Sequence, residues 1–349
     1  MTSDTDAPAP AGELAVTEPN TSNGGAPAGL PMPRDPDLLT DLGRRPHVTT
    51  FEPGRRYPYP VPNGWFVVAC ADDLAPGDVR ALRAFGRDLV LYRTAEGVAR
   101  VLDAHCTHLG AHLAVGGRVE GACIRCPFHG WRFDGGTGRC EEIPYGDTVR
   151  IPPKAHTRSY PTLERNRMVW AWYHAQGGDP FYDVPEVPEF SDPDWLPIEI
   201  VEFPVRVSAQ DMAENNVDFA HFRFVHGSDS IPEDDMVTDG TYKRTESMGG
   251  AFVREGFGLG LGVLRVRGYV TFLSSTTPID ADNVLVRWIF TAPRGNGEEA
   301  AREAAAGFSA GVSQDIPIWE NKIYRDPPVI TRTEKLILEH RRWAEQFYS

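Results

Sequence analysis

CTHLGAH at residues 106–112 and CPFHGWRFD at residues 126–134 decide how this 349-residue chain is read. Cys106 and His108 are followed, after seventeen intervening residues, by Cys126 and His129. Two thiolates and two imidazoles delivered by two loops can hold either zinc or an iron–sulfur cluster. A zinc ribbon would use two Cys-x2-Cys pairs, and Cys123 with Cys126 makes one pair without a second. One Cys and one His per loop suit a [2Fe–2S] cluster in which the cysteines hold one iron and the histidines the other. His105 and His112 break that spacing and read as turn or packing residues. Cys123 and Cys140 read as small buried hydrophobes, and Cys70, inside an apolar run, as core.

Around these loops the chain has a β texture. WFVVACA (65–71), DLVLYRT (88–94) and VARVLDA (98–104) are separated by turn residues at hairpin spacing. The pattern continues through CIRCPFHGWRFD (123–134), VRIPPK (149–154) and RMVWAWYH (167–174), so a small antiparallel β domain is expected. The Pro-, Gly- and Asp-rich stretch 175–194 reads as a linker. It places a cluster domain at 47–178 and a second domain at 179–349. Residues 1–46 begin with an Ala, Pro, Gly, Thr, Ser and Asp mixture that buries little apolar surface, and a flexible tail is expected there.

Composition excludes several classes. With 35 Lys+Arg against 49 Asp+Glu the formal net charge is −14, which repels phosphate backbones, so no nucleic-acid partner is expected. Five cysteines are too few, and too odd a number, for a secreted disulfide framework. The first sixteen residues have neither the basic start nor the apolar core of a signal peptide, and no run of eighteen uncharged apolar residues occurs. A cytoplasmic protein without an integral membrane segment is the expectation.

The second half mixes elements. EIVEFPVRVSAQ (199–210) reads as a strand and DMAENNVDFAHF (211–222) as a helix capped near Ser208 or Asp211. Long strands are expected at 250–274 and 284–292, the polar turn IDADN (279–283) between them, and helices at 298–314 and 333–348. Pro317 should kink or restart the first of these. Phe308, Val312, Asp315 and Trp319, at offsets 0, 4, 7 and 11, share one helix face. Asp218 and His221 are three apart, so the carboxylate can accept a hydrogen bond from the imidazole. His221 and His226 are five apart, about 140° around a helix, and reach one metal only where the helix ends between them. Two His and one carboxylate make the facial triad that binds ferrous iron. An Asp–His surface pair with an unrelated loop His is the plainer alternative. The glycines of GFGLGLG (256–262) lack the strand–GxGxxG–helix context of a nucleotide loop and read as a smooth strand face.

The two cluster loops resemble those of the Rieske family. Ala111 and Phe128 stand where respiratory-chain members carry disulfide cysteines, and Trp131 where they carry a Ser that donates to a cluster sulfur. Fewer such donors imply a potential at the low end of the Rieske range, which suits an oxygenase or a ferredoxin. The D-x2-H-x4-H segment at Asp218, His221 and His226 is similar to that of Rieske oxygenases, whose third iron ligand lies on a long C-terminal helix; Asp315, within SQDIPIWENK (313–322), matches it. The resemblance implies an α+β chain with an all-β Rieske domain, then a helix-grip catalytic domain in which a curved antiparallel sheet surrounds a long helix. It implies a [2Fe–2S] cluster on Cys106, His108, Cys126 and His129 and a mononuclear Fe(II) on His221, His226 and Asp315. Asp218 and Asn215, from the same segment, are the catalytic candidates. It further implies a head-to-tail homotrimer in which His129 faces Asp218 of the partner subunit. No flavin or nicotinamide motif is seen, so an NAD(P)H-dependent flavin/iron–sulfur reductase or a ferredoxin is expected to supply electrons.

Within that family the chain is most similar to the bacterial 3-ketosteroid 9α-hydroxylase and cholesterol 7-desaturase group, through NGWFVVA (63–69), GRDLVLYRT (86–94), DFAHFRFVHG (218–227), QDIPIWENK and RRWAEQFY (341–348). This implies O2-dependent hydroxylation of a large apolar, steroid-like molecule. Desaturation or oxidative cyclisation on the same scaffold is the alternative, and from another class a Rieske electron carrier with a docking domain. A substrate pocket is expected beside Phe257, Leu259, Leu261, Val263 and VRWIF (286–290).

Overall fold

A computed structural model describes Leu42 and residues 56–349 apart from 146–149, 197–198, 230 and 232–234. Except for Leu42, the expected tail at 1–46 lies outside the described residues. The first half is all β: β1 (Gly64–Cys70), β2 (Val79–Ala84), β3 (Arg87–Arg93), β4 (Ala99–Asp103), β5 (Arg118–Glu120), β6 (Cys123–Arg125), β7 (Arg132–Asp134), β8 (Cys140–Glu142), β9 (Ser159–Tyr160), β10 (Thr162–Arg165) and β11 (Met168–Tyr173). They form three antiparallel sheets, ordered β1-β11-β10, β2-β3-β4-β9 and β5-β6-β7-β8. Residues 150–154, expected within a strand, form none, because Pro152 and Pro153 remove two ladder donors.

The second half is built on one seven-stranded antiparallel sheet. β12 (Glu199–Val205) is followed by α1 (Ala209–Glu214) and α2 (Ala220–Phe224), then by β13 (Met236–Asp239), β14 (Tyr242–Ser247), β15 (Phe252–Phe257), β16 (Leu261–Val266), β17 (Val270–Pro278) and β18 (Val284–Thr291). β13 to β18 run as a meander and β12 pairs outside β18. α3 (Gly297–Asn321) and α4 (Lys335–Ala344) complete the chain. The expected strand at 250–274 is instead three strands. Gly258 (φ 65°) and Gly268 (φ 73°) take the left-handed turn conformations that break it, and Gly256 pairs with Gly262 across the first hairpin.

Two further expectations fail locally. The helix at 211–222 is interrupted over 215–219, where the Asn216 amide donates to the Ala213 carbonyl (3.3 Å) in competition with the helical ladder. α3 runs through Pro317 as one element. Val312, Ile316 and Trp319 pack into the sheet on both sides of that proline, and the tertiary contacts outweigh its cost of about 3 kcal/mol.

The period-2 alternation of β18 explains how the sheet serves two partners. Val286 and Phe290 join Phe203, Phe272, Val312 and Trp319 under α3, whereas Ile289 joins Leu261, Val263 and Leu273 against Trp65, Val67 and Trp170 of the first half. The expected substrate pocket is therefore filled core. Leu259 packs on Trp343 and Phe347, and Leu261 and Val263 lie between the two halves. A cavity of about 320 Å³ lies beside β1, β2 and β18, and of the residues expected around substrate Arg287 alone reaches it.

Candidate metal centres

The two cluster loops are built alike. The amide of Cys106 donates to the Ala111 carbonyl (2.9 Å) and that of Gly110 back to the Cys106 carbonyl (2.9 Å). Cys126 repeats both bonds, with the Trp131 carbonyl (2.8 Å) and the Gly130 amide (3.1 Å). Gly110 and Gly130 sit at φ 78° and 71°, the left-handed turn that each five-residue loop requires. Cys106 and Cys126 are buried and lie within hydrogen-bonding reach of each other. Burial pushes the Cys106 thiol up to about 11, and amides of His108 and Leu109 directed at it partly offset that rise. The His108 and His129 rings meet edge to face at 4.6 Å, and His108 stacks on Trp131 at 4.6 Å. Trp131 in turn donates to the Tyr145 hydroxyl (2.8 Å). Two thiols and two imidazoles on matched loops fit a [2Fe–2S] group.

The neighbouring groups have other partners. His105 and His112 form a β-bridge with rings 5.1 Å apart. Cys123 donates to Glu141 Oε2 (3.2 Å), and burial pushes its thiol up to about 12, so at neutral pH it stays protonated.

The second group forms where α2 ends. Its last helical residue is Phe224, so His221 and His226 turn toward each other with ring centroids 5.1 Å apart. α3 brings in Asp315, and one donor atom each from His221, His226 and Asp315 lies within 4.8 Å of the others. His226 Nε2 is 3.3 Å from Asp315 Oδ2. The ring of His221 is oriented differently from expectation: its Nδ1–H donates to the backbone carbonyl of Asp218, and the Asp218 carboxylate stands off at 3.9 Å. The ring of His226 is held by Gln314, whose Oε1 accepts from Nδ1 at 3.0 Å. Both acceptors leave Nε2 as the lone-pair nitrogen. His221 Nε2 is buried with no hydrogen-bond partner, a costly arrangement unless a cation completes it. Burial also holds His221 below its usual range and pushes the Asp315 carboxyl up, the nearby histidines opposing the latter. A buried carboxyl group beside two imidazoles, each with Nδ1 engaged and Nε2 turned inward, fits ferrous iron. Asn215 sits at the C-terminal end of α1 and is not part of this group.

Positioning of α1 and α2 comes from buried polar contacts. Ser208 caps α1 by accepting from the Asp211 amide (3.1 Å), and Asp211 receives Tyr57 (3.1 Å) and Lys322 (2.9 Å). Glu214 takes a bidentate pair from Arg341 of α4 (2.6 and 2.9 Å). Buried Arg254 lies over the rings of Phe219 and Phe222, on both sides of His221, at 5.1 and 5.6 Å. Neither Arg254 nor Gln314 stood out in the sequence: an Arg on a strand carries no periodic signal, and Gln314 is marked only by its neighbour Asp315.

Comparison with known proteins identifies both halves of the chain. Residues 64–161 match the Rieske [2Fe-2S] domain, and residues 171–348 match the 3-Ketosteroid 9alpha-hydroxylase C-terminal domain. A 3-ketosteroid-9-alpha-monooxygenase oxygenase component of Rhodococcus rhodochrous is 30% identical over 89% of this chain and 89% of its own. The cholesterol 7-desaturase of Caenorhabditis elegans is 30% identical over 82% of this chain and 77% of its own. Among solved structures, Pseudomonas putida CBB5 NdmA shares the fold with a TM-score of 0.68 at 21% identity, covering 80% of this chain and 88% of that one. No described helix is long and apolar enough to cross a membrane. With a Rieske domain ahead of a hydroxylase domain over nearly all of its described length, the chain belongs to the Rieske oxygenases, enzymes that pair a [2Fe–2S] cluster with mononuclear iron, in the branch of the 3-ketosteroid 9alpha-hydroxylases.

Proposed function

We propose that this oxygenase component hydroxylates a C–H bond of a large, rigid, steroid-like molecule. In this reading His221, His226 and Asp315 hold the mononuclear iron, and Cys106, His108, Cys126 and His129 hold the cluster. The observation that carries it is the convergence of two imidazoles and one buried carboxylate within 4.8 Å at the end of a short helix. Ferrous iron in such a triad supplies oxygen activation at its remaining coordination positions. The protein's own part is to fix both rings through Nδ1, to keep His221 neutral by burial, and to hold Asp315 on a helix face otherwise apolar. Phe308, two turns before Asp315 on that face, meets Phe272 at 5.0 Å, and Phe272 meets Trp288 at 5.1 Å. These rings belong to the packed core under α3 and brace the helix that carries Asp315.

The names of the relatives point to 3-ketosteroids and to cholesterol, which supports the steroid class. Electrons are proposed to come from a separate NAD(P)H-dependent reductase or ferredoxin, in a cytoplasmic homotrimer whose Asp218 faces the cluster of the partner subunit. Asn215 is proposed to assist Asp218 there. The test is a mass-spectrometric product assay with reductase-supplied electrons, oxygen and a panel of 3-ketosteroids, cholesterol and polycyclic aromatics. A ketosteroid gaining one oxygen atom is the expected result. Cholesterol losing two hydrogens would move the chain to the desaturase reading, which the Caenorhabditis elegans relative favours equally by identity. If every steroid returns unchanged while an aromatic is oxidised, the substrate class is wrong.

A further inference from the structure

The two imidazoles of the triad are oriented by acceptors of different kinds. His221 donates Nδ1–H to a backbone carbonyl that no side-chain substitution can remove. His226 donates to a side-chain carboxamide, that of Gln314, at 3.0 Å. Gln314 immediately precedes Asp315 on α3, so consecutive residues reach the same site, one through its carboxylate and the other through the ring it holds. Asp315 is buried, whereas Gln314 lies on the exposed side of the helix. Its only hydrogen bond among the described side-chain contacts is the one to His226.

We infer that Gln314 is a positioning residue for the mononuclear iron: its Oε1 fixes the Nδ1–H tautomer of His226 and aims the Nε2 lone pair at the position shared with Asp315. The inference rests on the iron site proposed above. An acceptor on the non-ligating nitrogen fixes ring orientation and raises ligand basicity, and its loss typically weakens metal binding about 10–100-fold. Gln314→Leu keeps the approximate volume and removes the acceptor. Gln314→Glu keeps an acceptor and adds charge. Because Gln314 is exposed and packs into no core cluster, both variants should fold.

The test uses the full chain with its cluster intact, anaerobically stripped of labile iron by a chelator and retitrated with Fe(II) alone. Equilibrium dialysis gives Kd, and the nitric-oxide EPR signal of a mononuclear ferrous site reports occupancy independently of turnover. The Leu variant should bind Fe(II) about 10–100-fold more weakly, the Glu variant as tightly as wild type or more so, with thermal unfolding of the iron-free proteins unchanged. A Leu variant within twofold of wild type would overturn the inference, as would equal weakening in both variants. A wild-type chain that takes up no Fe(II) beyond its cluster would overturn the proposed iron site as well, which separates the two failures.

Discussion

Asp218 has two oxygen-bearing groups with separate tasks. Its carbonyl orients His221, while its carboxylate, 3.9 Å from the ring and 39% exposed, is left for another partner. Asp218→Ala keeps the carbonyl, so the variant should hold wild-type iron but lose product formation about 10–100-fold. Iron analysis beside turnover checks this, and a wild-type rate would sink the role. The opposite pattern is expected for Asp315→Asn, which removes the only carboxylate of the triad: one iron per chain should be lost while the visible spectrum of the cluster persists. At this scale the sequence was legible where spacing carries the chemistry, as in Cys-x-His, Cys-x2-His and D-x2-H-x4-H. The acceptor choices were not legible, because whether a carbonyl or a carboxylate takes Nδ1–H depends on the break at 215–219.

Elements show where local signals yield to packing. The glycines at 256–262 form a hairpin, and Gly260 sits where a Cβ would lie 2.6 Å from the Trp65 carbonyl and 2.6 Å from the Phe66 ring. Gly260→Ala should therefore cost about 3 kcal/mol, the upper end for overpacking, because both contacts fall well inside van der Waals distance, whereas Gly268→Ala, in open space at φ 73°, should cost about 1 kcal/mol from left-handed backbone conformation alone. Thermal unfolding of the two variants distinguishes these costs, and equal shifts would contradict the close approach. Alternation and helix-face periodicity foretold β1, β3, β4, β11 and the buried stripe of α3. They missed the partition of 250–274 and the continuity of α3 through Pro317, since turn glycines and a tolerated proline are decided by the sheet and by neighbouring strands.

For the whole molecule, the second half closes where β14, α1 and α4 meet at Lys243. Its buried ammonium is 3.1 Å from His340 Nδ1 and 3.3 Å from the Ala213 carbonyl, and burial pushes it down to about 7. The folded state thus binds fewer protons than the unfolded chain between about pH 7 and the ordinary lysine value of 10.5, so stability from this group rises with pH across that window. Lys243→Met should flatten the rise, by at most about 4 kcal/mol between pH 7 and 10. Unfolding midpoints of both proteins across that range test it, and parallel curves would contradict the buried, depressed amine. Order of motifs made the two-part organisation readable, cluster loops first and triad second. The packing between the halves was not, because Leu261, Val263 and Ile289 read equally well as a ligand wall and as core. The central claim is that one chain carries two separate iron centres on the residues named, and the direct measurement is iron and acid-labile sulfide per chain in anaerobically purified protein. Three irons to two sulfides in wild type, falling to two irons in His226→Ala and Asp315→Asn, is the expected result. Two irons in wild type, or three retained in both variants, would contradict it.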